Sequence, residues 1–125
     1  MCIRDSTHSS VKTIAKVLDV DVLVAKTDEK GRMTGDAVRK LLEENEGVFA
    51  VVATTGTTNT GTIDHIESIS EVCKEYDTWL HIDGAYGGAG ILAASVRDLY
   101  NGIENADSFI AVSYTHLTLP TNREV

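Results

Sequence analysis

The chain has 125 residues, of which 42% are hydrophobic and 24% charged, a composition typical of a soluble globular domain. The formal net charge is −8 and no basic stripe is present, which argues against nucleic-acid binding. No apolar run reaches the ~20 residues of a membrane span, and two cysteines without metal-ligand spacing favour a reduced, cytoplasmic protein.

The first half of the chain alternates helical and extended patterns. After Ser9 and Ser10, four apolar residues are spaced to form one helical face: Val11, Ile14, Ala15 and Leu18. Further along, the pattern predicts a strand over 20–25, a polar turn over 27–34 and a helix over 35–45 that ends before Gly47.

The second half continues the alternation. Residues 48–53 form an unbroken run of β-branched and small residues, as in a strand covered on both faces, and a loop follows over 54–61. Asp64 and Glu67 have the spacing of a capping box at a helix start. The remaining elements are predicted as a strand over 79–82 that ends at Asp83, a helix over 92–99 and a strand over 108–112.

This order of elements predicts an α/β fold with a mostly parallel sheet and flanking helices. In such sheets, ligands bind beyond the carboxyl ends of the strands. The loop after the 48–53 strand and the segment after the 79–82 strand are therefore the two candidate sites.

The two ends of the chain lack these patterns. Residues 1–6 and 112–125 resemble translated sequencing adapter, and the second stretch contains the only proline. We expect both ends to be non-native or disordered, which leaves residues 7–111 as the domain.

Asp83 is the most informative single residue. An acid at the end of a buried strand is costly without a partner, and a protonated pyridine nitrogen is one possible partner. A helix cap or a salt bridge is the alternative explanation of the acid, and spacing alone favours it. The small residues Gly84, Ala85, Gly87 and Gly88 that follow would let a flat ring approach the backbone, although a glycine-rich turn has the same composition.

Residues 54–61 supply several hydroxyl groups after a buried strand. They lack the patterns of a phosphate-binding P-loop and of a dinucleotide site. These threonines could bond a cofactor, position Asp83 or cap their own backbone.

Histidine is the remaining candidate for proton transfer. His8 precedes a helix start, where an imidazole can stack on a ring and move protons, although such a residue is often simply solvated. His81 is expected to be packed and hydrogen-bonded. The spacing of His8, His65, His81 and His116 fits no zinc site, so we predict no metal.

Together these segments resemble the group II pyridoxal-phosphate-dependent amino-acid decarboxylases. The matching stretches are His8-Ser9-Ser10-Val11, residues 53–58 with Gly61, Ile63 and Asp64, residues 79–88, and Ala106-Asp107-Ser108-Phe109. Each stretch alone is weakly specific, whereas their order and spacing are specific.

The resemblance implies a fold and a set of roles. The fold would be part of the large domain of the type I, aminotransferase-like architecture, and the cofactor would be pyridoxal 5′-phosphate. His8 would stack on the pyridine ring and assist proton transfer, Asp83 would pair with the ring nitrogen, Ala85 would lie against the other ring face, and Thr58 would lie near the ring. The parent would be a homodimeric lyase that converts an L-amino acid to an amine and CO2.

One departure from the family pattern concerns the lysine that would hold the cofactor covalently. Thr115 occupies about the position of that lysine, and the upstream phosphate-binding segment is missing, so we expect an inactive fragment of the parent enzyme. Two alternatives stay open from the residues. One is another type I enzyme of this cofactor (an aminotransferase, a desulfurase or an aldehyde-lyase), and the other is a cofactor-free α/β domain.

Overall fold

The computed structural model describes residues 1–111, whose strands form one parallel sheet. In chain order the strands are β1 (Cys2–Arg4), β2 (Leu23–Ala25), β3 (Ala50–Thr54), β4 (Trp79–Asp83) and β5 (Ser108–Ile110). Their order in space is β2-β1-β3-β4-β5, and every pairing is parallel. The predicted α/β class and parallel sheet are therefore confirmed. Because all strands run the same way, the carboxyl ends of β3 and β4 lie side by side.

Three α-helices accompany the sheet: α1 (Ser9–Val17), α2 (Gly35–Glu44) and α3 (Ile66–Glu75). Two of them, α2 and α3, contact each other and pack on one sheet face. The core between them and the sheet includes Val38, Ile66, Ile69, Val51, Ala53, Leu80 and Ile82. Alternation along β3 and β4 places Val52, Thr54, His81 and Asp83 on the opposite face. The candidate site therefore belongs to the face that α2 and α3 leave free.

The apolar stripe predicted for the first helix is mostly exposed. Ala15 is buried in α1, whereas Ile14 and Leu18 are 51% and 62% exposed. The helix forms where the spacing predicts it, but its stripe is not core. Spacing indicates which side chains share a face, and only the tertiary fold decides whether that face is covered.

Residues 1–6 were expected to lie outside the fold, and for β1 the expectation of disorder is wrong. Cys2 and Ile3 are fully buried, and β1 pairs with β2 on one side and β3 on the other. A three-residue strand is too short to show an alternating pattern, and its order comes from hydrogen bonds to both neighbours. That these residues are non-native stays a prediction. Residues 112–125 lie outside the described residues. They include Thr115 and the last residue of the strand predicted over 108–112.

Two helix predictions also need correction. Residues 92–99 do not form an α-helix; the chain instead makes short 3-10 helices over Gly88–Leu92 and Arg97–Tyr100. Tyr100 is 3% exposed, and its hydroxyl group donates a hydrogen bond to the Gly87 carbonyl, so tertiary contact shapes this segment. The capping box predicted at Asp64 is also wrong, because α3 begins at Ile66 after His65 and the carboxylate of Asp64 binds elsewhere.

The cysteines are buried thiols. Cys73 is 3% exposed, and burial raises its pKa to about 12, so the thiol stays protonated and unreactive at neutral pH. Within residues 1–111, no cluster of three or more His, Cys, Asp or Glu side chains is arranged to hold a metal ion. None of the helices in the same part of the chain has the length and apolar character needed to cross a membrane.

Candidate active site

A small pocket lies at the carboxyl ends of β3 and β4 and brings together all four predicted site residues. Its volume is about 70 Å³, and it is lined by His8, Thr54, Gly56, Thr57, Thr58, Asp83, Ala85 and Tyr86. A wider groove of about 450 Å³ along the start of α1 shares His8 with the pocket. Small-molecule sites typically measure about 300–1,000 Å³, so the groove has the volume of such a site, whereas the pocket is smaller.

Asp83 is the half-buried acid at the floor of the pocket. Its Oδ1 accepts a hydrogen bond of 3.1 Å from the backbone N–H of Ala85, which closes a tight turn after β4. Within residues 1–111, Oδ2 accepts no hydrogen bond and the carboxylate has no ion-pair partner. Asp83 therefore caps no helix and, among residues 1–111, forms no salt bridge; one of its oxygens closes a turn instead. One carboxylate oxygen remains available to a ligand.

His8 is the N-cap of α1 and is exposed at the mouth of the pocket. Its Nδ1 accepts a hydrogen bond of 3.2 Å from the backbone N–H of Ser10 and lies 2.7 Å from the Ser10 hydroxyl group. Because a backbone N–H can only donate, Nδ1 carries no proton in this contact, and the proton of the neutral ring lies on Nε2. The nitrogen that can exchange a proton with a ligand is therefore Nε2.

The loop after β3 is organised by its own threonines. The Thr57 hydroxyl lies 2.7 Å from that of Thr60, which lies 2.6 Å from that of Thr62. The backbone N–H of Thr62 also donates to Thr57 Oγ1. Local capping was therefore the correct alternative for these residues. Thr58 is exposed beside the pocket, and its hydroxyl group makes no hydrogen bond to residues 1–111.

Two glycines bring the walls of the pocket into backbone contact. A Cβ atom built on Gly56 would lie 2.7 Å from the Gly87 Cα atom, and one on Gly87 would lie 2.8 Å from the Gly56 Cα atom. Gly56 also has a φ of +98°, which side chains rarely adopt. The loop after β3 and the turn after β4 can therefore meet only where both residues lack side chains.

The carboxylate of Asp64 is hydrogen-bonded to the backbone of Thr54, a residue that lines the pocket. Its Oδ1 accepts from Arg4 Nη1 at 2.9 Å and from the backbone N–H of Met33 at 2.8 Å, and its Oδ2 accepts from the backbone N–H of Thr54 at 2.8 Å. Arg4 and Asp64 are 4% and 2% exposed. Burial raises the pKa of Asp64, and the donors around it oppose that shift. The carboxylate thereby joins the ends of β1 and β3 to the turn at Met33.

Sequence reasoning missed two features of this site: the hydrogen bonds of the Asp64 carboxylate and the contact of Gly56 with Gly87. It included the Thr54 hydroxyl group among those after the 48–53 strand, but it did not predict that this group is buried without a partner among residues 1–111. His81 is half-buried, and its Nδ1 lies 2.8 Å from the Ser108 hydroxyl, as expected for a packed, hydrogen-bonded residue.

Comparison with known proteins places this arrangement in a family. The profile of the pyridoxal-dependent decarboxylase conserved domain matches residues 1–118. The chain belongs to this family. An aromatic-L-amino-acid decarboxylase from Manduca sexta is 39% identical over 106 residues, which are 82% of this chain and 21% of that protein. The human cysteine sulfinic acid decarboxylase is 39% identical over 108 residues, or 81% of this chain and 22% of that protein.

Solved structures of the pyridoxal-dependent decarboxylases have the same fold. The crystal structure of mouse CSAD superposes with a TM-score of 0.79 at 34% sequence identity, covering 86% of this chain and 24% of that one. The chain thus spans about a fifth to a quarter of the length of the family members it matches.

The residues present suit the ring of the cofactor that gives the family its name. Asp83 offers a free carboxylate oxygen, which a protonated ring nitrogen would satisfy. Thr54 also lines the pocket, and its buried hydroxyl group has no partner among residues 1–111. Unsatisfied buried polar atoms are uncommon in folded proteins, and one that belongs to a pocket residue fits a site that receives a ligand.

Proposed function

We propose that this chain forms part of the cofactor site of a pyridoxal 5′-phosphate-dependent carboxy-lyase, which converts an L-amino acid to an amine and CO2. The observation that carries the proposal is that His8 and Asp83, 75 positions apart in the sequence, line the same pocket. Membership in the decarboxylase family supports the reaction type.

Three residues of the chain would each contact a different part of the cofactor ring. Asp83 would hold the proton of the ring nitrogen with its free oxygen, because a nearby carboxylate favours the charged form of a base. Ala85 would leave room for the ring, and Thr58 would bond at its edge. When bound, the cofactor supplies an electron sink for the electrons that CO2 leaves behind.

His8 would provide contact with the ring and transfer of a proton. Its Nδ1 is engaged with Ser10, so the imidazole is held with Nε2 free to give or take a proton. The N-cap position fixes where the ring of His8 lies, because the same hydrogen bond that starts α1 orients the imidazole.

The substrate, assembly and integrity of the parent enzyme also belong to this proposal. The chain would be a fragment whose parent is a cytoplasmic homodimer, and the polypeptide as written would be inactive because Thr115 stands where the family resemblance places the lysine. These statements rest on the resemblance. With the full-length parent, release of CO2 rather than a 2-oxo acid would separate a carboxy-lyase from an aminotransferase.

The proposal predicts that Asp83→Asn weakens binding of pyridoxamine 5′-phosphate to the 125-residue chain by about 100-fold, the loss expected for a charge-assisted hydrogen bond. Pyridoxamine 5′-phosphate is the probe because it lacks the aldehyde that would react with surface lysines. Its intrinsic fluorescence would report binding, and its absorbance would report the pKa of the ring nitrogen, which the wild-type chain should raise.

The matched control is Asp77→Asn, the same chemical change at an exposed acid that precedes β4 at the opposite edge of the sheet. Its affinity should equal that of the wild type. Absence of binding to the folded wild-type chain, or equal affinity of the Asp83→Asn variant, would refute the proposed function.

A further inference from the structure

The hydroxyl group of Thr54 is a buried donor without an acceptor. Thr54 is 6% exposed, it lines the pocket with Asp83, and its Oγ1 has no hydrogen-bond partner among residues 1–111. Leaving a buried hydroxyl unsatisfied costs stability, so an alternative with an apolar side chain would be more stable in the unliganded chain. This cost points to a use of the hydroxyl group in another state of the protein.

The carboxylate of Asp83, on the neighbouring strand, is an acceptor that Thr54 could serve. Thr54 and Asp83 are direct partners in the register of β3 and β4, so their side chains project to the same face from strands about 4.8 Å apart. Asp83 Oδ1 already accepts from Ala85, whereas Oδ2 accepts nothing within the described part of the chain. An unpaired donor therefore stands beside a carboxylate with free acceptor positions.

The backbone of Thr54 is held so that the hydroxyl group can reorient only by rotation of its own side chain. The N–H of Thr54 donates to Asp64 Oδ2 at 2.8 Å, and its carbonyl oxygen accepts from the N–H of Asp64 at 3.0 Å. These two bonds use the polar atoms of the Thr54 backbone. What remains free at this residue is the Oγ1 atom next to Asp83.

We propose that Thr54 is a positioning residue for Asp83, whose hydroxyl group donates a hydrogen bond to the carboxylate when that acid binds the ring nitrogen of the ligand. The inference rests on the proposed function and deepens it. A carboxylate oxygen has several lone-pair sites, so Asp83 can accept from Ala85, Thr54 and the ring nitrogen together. The bond from Thr54 would orient the carboxylate toward the ring nitrogen.

The proposal predicts opposite effects of Thr54→Val on binding and on stability. Valine has nearly the shape of threonine without the hydroxyl group, so affinity for pyridoxamine 5′-phosphate should fall about tenfold. The melting temperature of the unliganded chain should stay equal or rise, because the orphaned donor is gone. Thr54→Ser keeps the hydroxyl group and should restore most of the affinity.

A double-mutant cycle tests whether Thr54 acts through Asp83. In an Asp83→Ala background the Thr54→Val change should alter affinity less than about twofold, and it should not lower the pKa of the bound ring nitrogen further. Thr78→Val is the matched control, since Thr78 is also 6% exposed but precedes β4 at the other edge of the sheet. That variant should bind as the wild type does.

Three outcomes distinguish the positioning role of Thr54 from the proposed function. If Asp83→Asn weakens binding but Thr54→Val binds like the wild type, the positioning role is wrong and the proposed function stands. An equal loss from Thr54→Val in both backgrounds would also overturn the role, because the effect would not pass through Asp83. If the folded wild-type chain binds no pyridoxamine 5′-phosphate, the proposed function and the role built on it both fail.

Discussion

Replacing Asp64 with asparagine is expected to lower the free energy of unfolding by about 3–5 kcal/mol, because it leaves the guanidinium group of Arg4 buried and unpaired. Both side chains are almost fully enclosed, and Arg4 also donates to the carbonyl oxygen of Gly31. The total stability of a domain is typically about 5–15 kcal/mol, so this single change would remove a large share of it. Urea denaturation followed by circular dichroism measures the loss.

Two further variants identify the cause. Arg4→Met combined with Asp64→Asn removes the unpaired charge and should recover most of the lost stability. Glu75→Gln breaks the exposed ion pair between Arg39 and Glu75, whose atoms lie 2.6 Å apart, and should cost less than about 1 kcal/mol. If the double variant is as unstable as Asp64→Asn alone, the buried charge is not what makes Asp64 necessary.

Gly87→Ala is expected to cost about 1–3 kcal/mol and to abolish detectable binding of pyridoxamine 5′-phosphate. The added methyl group would collide with the carbonyl oxygen of Thr55 and with Gly56, so the turn after β4 would have to move away from the loop after β3. Thr58 and Ala85 stand on those two segments and would separate. Fluorescence titration and urea denaturation together measure both effects.

The control for this prediction is Gly47→Asn, at a glycine with a φ of +73° and no atom within 4 Å of a built Cβ. Asparagine tolerates this backbone conformation, so the change should cost about 1 kcal/mol or less and leave binding unchanged. An alanine at position 87 that preserves wild-type affinity would show that the contact of the two glycines does not shape the pocket.

Local patterns predicted the elements whose signal lies within one segment. The helix starting at Gly35, the strand ending at Asp83 and the turn before Thr34 follow from spacing and polarity, and the structure contains all three. The segment over 92–99 was wrongly predicted as helical because its shape depends on Tyr100 meeting Gly87. Periodicity carries no information about such a distant contact.

Strand β1 shows the same limit of local patterns, because here a strand forms where no pattern predicts one. Cys2 and Ile3 have no recognisable pattern, yet they pair with strands that begin about 20 and 50 residues later. The capping role expected for Asp64 failed for a related reason, since the partners that engage its carboxylate, Arg4 and Met33, come from distant parts of the chain.

The sequence by itself determined the α/β class, the parallel sheet and the strand-end position of Asp83, because alternation and apolar runs are local properties of the chain. The tertiary structure alone decided that His8 reaches the same pocket as Asp83, that Gly56 touches Gly87, and that Thr54 keeps an unpaired hydroxyl group. The physical reason is that these relations depend on strand order and register, which hydrogen bonds between remote segments establish only when the sheet assembles.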